Sequence, residues 1–218
     1  MSETVYEIRL CLNPECGLRY PLTGDHRFGE RCPACLGETK AVLARPLTQE
    51  HSLKMLEPRL NASVLLDNIR SAGNTGSILR SAEGTGFAHA FLCGVTPAPG
   101  QPGVRKTALG AQESLSWSSH RNGAVLVRRL MEEGFYLLAL ETGPAAVPLR
   151  RLDLDGIPPE SLVLVVGSEV AGIDPGILEF ARQVTCIPMR GAKVSLNAAV
   201  AFGIAAYEIS EKLAGRKS

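Results

Sequence analysis

Residues 63–95 read SVLLDNIRSAGNTGSILRSAEGTGFAHAFLCGV. Ser63–Asp67 is apolar and β-branched and predicts a buried strand. Over Asn74–Glu83 the apolar residues Ile78, Leu79 and Ala82 recur at helical spacing, and Gly84 and Gly86 end the helix. HAFLCGV (89–95) is then a second strand. The same alternation continues towards the C-terminus. Arg121–Glu133 is an amphipathic helix carrying Val125, Leu126 and Leu130, with Gly134 as its stop signal. FYLLAL (135–140), SLVLVVG (161–167) and QVTCIP (183–188) are further strands, and Val194–Leu213 is a long final helix. Strands alternating with helices predict an α/β domain with a mostly parallel sheet, its strands buried on both faces under helices.

Ligands of such sheets sit at the carboxyl ends of the strands. Polar and glycine residues fall at those ends here: Asp67-Asn68, Gly94, Glu141-Thr142-Gly143, Gly167-Ser168-Glu169 and Pro188-Met189-Arg190-Gly191. No phosphate-binding G-x-x-x-x-G-K-[ST] is present. The nearest approach to G-x-G-x-x-G, at Gly84, leads into a strand instead of out of one and fails the context test. H-E-x-x-H and G-x-S-x-G are also absent. Ordinary nucleotide, metalloprotease and serine-hydrolase sites are therefore unsupported.

At 218 residues, 45 % hydrophobic and 21 % charged, the chain is long enough for one ordinary domain and a small appendage. That composition excludes a disordered, collagen-like or coiled-coil chain. No apolar run reaches the ~18 residues of a membrane span, and MSETVYEIRLC lacks the apolar core of a secretion signal. The expectation is a cytoplasmic protein with no membrane partner. The net charge of +1 argues mildly against a dedicated nucleic-acid binder. It hides a local excess, since residues 69–129 hold seven Lys and Arg against two Glu. Arg105, Lys106, Arg121, Arg128 and Arg129 in that stretch are candidates to track a nucleic-acid backbone.

Four of the six cysteines crowd the N-terminus as Cys11-x4-Cys16 and Cys32-x2-Cys35. Pro14 and Pro33 lie inside the pairs and Gly17 and Gly37 beyond them, so each pair reads as a turn. In a reducing compartment two facing thiolate pairs suit a closed, structural Zn²⁺ site. The metal would supply the stability that some 45 residues cannot draw from a core of their own. His26 is an alternative ligand. Residues 1–45 are thus expected to form a small zinc ribbon and 46–60 a linker with a short helix around Leu53 and Leu56, leaving 61–218 as the main domain. Cys93 and Cys186 sit in apolar runs and are expected to be buried.

Three stretches taken together carry more. They are Asn68-Ile-Arg-Ser-Ala-Gly-Asn74-Thr-Gly76-Ser-Ile-Leu-Arg80-Ser-Ala82, Leu164-Val-Val-Gly167-Ser-Glu169-Val-Ala-Gly172-Ile, and Ile187-Pro188-Met189-Arg-Gly191-Ala-Lys-Val-Ser195-Leu196-Asn197-Ala-Ala-Val-Ala. In this order and spacing they resemble the SpoU (TrmH-like) RNA ribose 2′-O-methyltransferases of the SPOUT superfamily. The final run departs from the family's frequent SLNVS in having Ala198-Ala199, while Ser195 and Asn197 are kept. The N-terminal ribbon is not part of the common family core.

The resemblance implies a C-terminal trefoil knot, which general chain-threading rules disfavour. It implies a homodimer with residues of both subunits near each active site. Its activity would be transfer of a methyl group from S-adenosylmethionine to a ribose 2′-hydroxyl of tRNA or rRNA. By motif match, Leu140, Gly167, Ile187, Met189 and Leu196 would hold the cofactor. Arg80, Asn74, Glu169, Ser195 and Asn197 would form the catalytic set. Arg is a poor general base, so Arg80 is expected to bind the adjacent phosphate and orient the hydroxyl. Glu169 would orient Arg80 or hold backbone amides, and Ser195 would contact the ribose or cap the last helix. The alternative is an inactive RNA-binding assembly factor on the same scaffold, against which the retained motif residues argue.

Overall fold

A computed structural model describes residues 5–23, 30–46 and 59–214 of the chain. The chain divides into two compact units, Met1–Leu56 and Glu57–Ser218. His26 and the short helix expected around Leu53 and Leu56 lie outside the described residues.

The first unit is an antiparallel sheet of β1 (Val5–Cys11), β2 (Arg19–Thr23) and β3 (Thr39–Pro46), in the order β2-β1-β3. Its interior is small: Tyr20, Leu22, Cys11 and Cys32, with the stem of Arg9. The guanidinium of Arg9 is satisfied from three sides. It donates to Thr39 Oγ1 (2.8 Å), Glu7 (2.5 Å) and Glu30 (3.3 Å). A buried charge is tolerated here because every side of the fork has an acceptor.

The second unit runs β4 (Ser63–Asp67), α1 (Ala72–Gly84), β5 (His89–Cys93), α2 (Pro102–Ala108), α3 (Ala111–Ser114) and β6 (Ser116–His120). It continues with α4 (Gly123–Glu132), β7 (Tyr136–Leu140), β8 (Val147–Pro148), β9 (Leu162–Val166), α5 (Pro175–Leu178), β10 (Gln183–Cys186) and α6 (Ala198–Ala214). The seven strands pair in parallel throughout, in the order β6-β5-β4-β9-β7-β10-β8. All five expected strands are present. Two more, β6 and β8, carry no apolar pattern to announce them: SWSSH is a half-exposed edge strand, and Val147–Pro148 is two residues long.

Side chains alternate across the central strands and feed two cores. Val64, Leu66, Leu164 and Val166 pack with Ile78 and Leu79 of α1 and Phe202 and Ile209 of α6. Leu65, Leu137, Val163 and Val165 pack with Leu126 and Leu130 of α4 and with Ile177. Burial on both faces explains why these strands read as unbroken apolar runs. The final helix begins at Ala198, four residues later than its apolar content suggests.

One connection shapes the site. β10 lies between β7 and β8, which follow one another in sequence. Thr185 of β10 is level with Leu140 on one side and Val147 on the other. Residues 141–146 therefore straddle β10, and the chain leaving β10 must pass this short bridge to reach α6.

Candidate active site and metal centre

The carboxyl ends of β7, β9 and β10 open onto a cavity of about 530 Å³, within the size range of small-molecule sites. Leu140 comes from the end of β7 and Gly167 from the turn after β9. Ile187 and Met189 follow β10, and Leu196 lies just before α6; all five expected cofactor residues line this one space. So do Glu169, Ser195 and Asn197. Leu140, Val166, Ile187 and Leu196 give the cavity an apolar wall opposite polar loop groups.

Sequence reasoning does not reach Val170, Cys186 and Val194 as lining residues, and it reaches Glu141 and Thr142 only as polar residues at a strand end. Glu141 has a signal, being a charged residue directly after a strand. Cys186 is half-buried on the cavity wall, which corrects its expected place in the core, whereas Cys93 is fully buried. Burial pushes the Cys93 thiol up to about 12, with the nearby Asp67 adding to the shift.

The turn after β9 is closed tightly. Ser168 and Gly172 exchange both backbone hydrogen bonds at 2.9 Å. A Cβ on Gly167 would lie 2.3 Å from Gly172 C and Ile173 N, so only glycine lets the chain fold back here. Glu141 fastens the turn from below, its Oε2 accepting Ile173 N at 3.1 Å. Asp67 fastens it from the other side by accepting Asp174 N at 2.8 Å. Burial raises the Asp67 pKa, and the Asp174 charge adds to it, against the opposing hydrogen bonds from Asp174 N and Asn68.

Glu169, Asn74 and Asn197 form one relay across the three motif stretches. Arg70 N donates to Glu169 Oε2 (3.1 Å), and Asn74 Nδ2 donates to Glu169 Oε1 (2.6 Å). Asn197 Nδ2 donates to Asn74 Oδ1 (3.0 Å), and Asn197 Oδ1 accepts Ala199 N and Val200 N. Desolvation pushes the Glu169 pKa up, but the amides of Arg70 and Ser71 and the Asn74 side chain outweigh it and hold the group ionised below the usual range. An ionised carboxylate only accepts, so Asn74 must turn its NH₂ to Glu169 and its oxygen to Asn197. Asn197 in turn must spend its own oxygen on the helix. Asn197, not Ser195, thus caps α6, and the capping expectation for Ser195 is corrected: two residues separate it from the helix start. Glu169 holds backbone amides, the second of its two expected roles.

Arg80 stands apart. It is exposed, does not line this cavity, and has no side-chain partner among the described residues. It lies six residues beyond Asn74, about 9 Å further along α1. Of the expected backbone-tracking residues, Arg129 is paired with Glu133 at 3.6 Å.

In the first unit the four thiols Cys11, Cys16, Cys32 and Cys35 lie within 4.8 Å of one another. Cys11 and Cys35 are 3.5 Å apart at sulfur, and Cys16 and Cys32 are 3.7 Å apart. These are not disulfide distances. A tetrahedral ion with ~2.3 Å bonds to sulfur has edges of about 3.8 Å, so the donor set fits a four-thiolate site. The two turns are built alike, with Gly17 N and Cys16 N returning to Asn13 O and Leu36 N returning to Cys32 O.

A parallel α/β sheet whose last strand slots between two consecutive ones, with a cavity on the resulting loops, agrees with the fold that the resemblance to the SPOUT superfamily implies. The SpoU rRNA Methylase family model matches residues 61–207, and the chain belongs to that family. It is 32 % identical over 154 residues to the 23S rRNA (guanosine-2′-O-)-methyltransferase RlmB of Vibrio vulnificus, covering 70 % of this chain and 60 % of that one. It is 33 % identical over 186 residues to the protein of the same name from Burkholderia, covering 82 % and 73 %. The AdoMet-bound rRNA methyltransferase of Sinorhizobium meliloti superposes with a TM-score of 0.64 at 27 % identity, over 70 % of this chain and 60 % of that one. The chain thus spans less than two thirds of the first of these curated relatives.

Proposed function

We propose that this chain transfers a methyl group from S-adenosylmethionine to a ribose 2′-hydroxyl of rRNA or tRNA. The observation that carries this is the convergence of Leu140, Gly167, Ile187, Met189 and Leu196, from four separate segments, on one cavity. When bound there, S-adenosylmethionine supplies an electrophilic methyl group. Ile187 and Leu196 would face its adenine, and backbone groups of the loops carrying Gly167 and Met189 would hold it. Glu169, Asn74 and Asn197 act as a positioning relay that locks the turn after β9 to the starts of α1 and α6. Ser195, exposed at the cavity rim, contacts the target ribose.

Arg80 binds and orients the acceptor phosphate, and its exposed place on α1, outside the cavity of its own chain, supports action at the site of a second copy. An exposed apolar stripe on α6, Val200, Ile204 and Tyr207, supports a homodimer. The straddling 141–146 bridge supports a trefoil knot formed by the chain after β10. In this reading residues 1–45 are an added zinc ribbon, 46–60 a linker and 61–218 the methyltransferase domain, and the whole works in the cytoplasm. Among the described residues no helix is long and apolar enough to cross a membrane.

The test is incubation of the pure protein with methyl-labelled S-adenosylmethionine and rRNA and tRNA from cells lacking its gene, followed by nuclease mapping. Label on a ribose, lost in Arg80→Ala with the fold intact, is the expected result. No label and no cofactor binding by calorimetry would favour the inactive assembly-factor reading.

A further inference from the structure

A second, shallower concavity of about 350 Å³ abuts the cofactor cavity and shares Glu169 and Val170 with it. Its remaining walls are Arg70, Ser71 and Asn74. Nearly all its polar groups are committed to one another. Ser71 Oγ accepts Asn74 N at 3.2 Å, Asn74 is held at both ends of its amide, and both Glu169 oxygens are engaged. The Arg70 guanidinium is the exception: it is exposed and has no side-chain partner among the described residues. Val170 stands on the shared wall with 78 % of its surface exposed, an apolar side chain with nothing packed on it.

We infer that this cleft seats the acceptor nucleotide and that Arg70 is its phosphate-binding, substrate-positioning residue. The inference rests on the methyltransferase reading above. Methyl transfer needs donor and acceptor to meet in line across a short gap, and a concavity sharing a wall with the cofactor cavity supplies that geometry. The Glu169 carboxylate on the shared wall repels an anion, which leaves that side to the neutral ribose. The phosphate then goes to the Arg70 side, where the exposed guanidinium offers a planar, uncommitted fork. Val170 gives the sugar or base an apolar surface. Arg80 of the same chain does not line this cleft.

The Arg70 bond to Glu169 runs through the backbone N–H, so side-chain substitution leaves the relay in place. The experiment is equilibrium binding of a labelled, unmodified 23S rRNA transcript by wild type, Arg70→Ala and Arg70→Lys over 50–200 mM KCl, with cofactor affinity and melting temperature measured alongside. A direct phosphate contact predicts that Arg70→Ala weakens RNA binding about five- to tenfold and flattens the slope of log K against log salt by about 0.7–0.9. Cofactor affinity and melting temperature stay at wild-type values, and Arg70→Lys restores the slope. An unchanged slope in Arg70→Ala, with wild type binding both cofactor and RNA, overturns this inference and leaves the methyltransferase reading standing. Wild type that binds neither overturns both.

Discussion

The relay between Glu169, Asn74 and Asn197 has a direction set by one charge, and that direction can be reversed. In Asn197→Asp the new carboxylate still accepts Ala199 N and Val200 N, so the α6 cap survives. Its other oxygen then faces Asn74 Oδ1, and no rotation of Asn74 can donate to carboxylates on both sides with its single NH₂ aimed one way. One hydrogen bond is lost and two acceptors are left opposed. In Glu169→Gln the amide oxygen keeps Arg70 N, while the new NH₂ opposes that of Asn74. Each single variant should cost about 1 kcal/mol, the low end for these solvent-reached groups. In the double variant the new amide at position 169 donates to Asn74 Oδ1, and Asn74 Nδ2 donates to the new carboxylate at position 197. Both links are restored in the opposite sense. The double variant should recover about 1–1.5 kcal/mol relative to the sum of the singles. For a unit of this size that is some 2–6 °C in melting temperature. Thermal and urea unfolding of the four proteins at pH 7 measure it. Additive losses would refute the relay and reduce the three residues to independent contacts.

Three further outcomes follow from the geometry. Gly167→Ala drives a Cβ into the backbone of Gly172 and Ile173, so it should lower stability by about 2–3 kcal/mol and abolish cofactor binding; calorimetry at wild-type affinity would contradict it. Burial lowers the pKa of His89 and His120, which are joined through Ser118 at 2.9 and 2.8 Å. Their protons bind the unfolded chain more tightly, so stability is fully present above pH ~6.5 and declines as the pH falls below it; Gln at both positions should flatten that limb of a denaturation series. A strong chelator, or Cys32→Ser, should abolish the ordered β1–β3 sheet and leave the cooperative melting of residues 61–218 in place, as followed by NMR spectra. Retention of the sheet without metal would remove the case for a structural zinc.

The central strands and long helices are legible because both faces of the sheet are buried, which leaves runs such as LVLVV and YLLAL that only a core can hold. The turn-forming Cys pairs are legible for a similar local reason. The edge strand Ser116–His120 is not, since it has one neighbouring strand and needs little apolar content; the short helices α2 and α3 between β5 and β6 are equally silent. The start of α6 escapes the sequence because apolar residues before Ala198 line the cavity and not a helix, and the decisive signal, the Asn197 cap, depends on which atoms Asn74 leaves for it. The sequence alone determined the α/β class and the four thiols, which follow from local pattern and composition, and its resemblance to a known family supplied the motif residues. Tertiary structure alone decided that Val170, Cys186 and Val194 join the expected residues in one cavity, that Arg80 stands outside it, and that Arg70 stands uncommitted beside it. Such facts depend on where β10 inserts in the sheet, and strand order is a property of long-range pairing that no local pattern encodes.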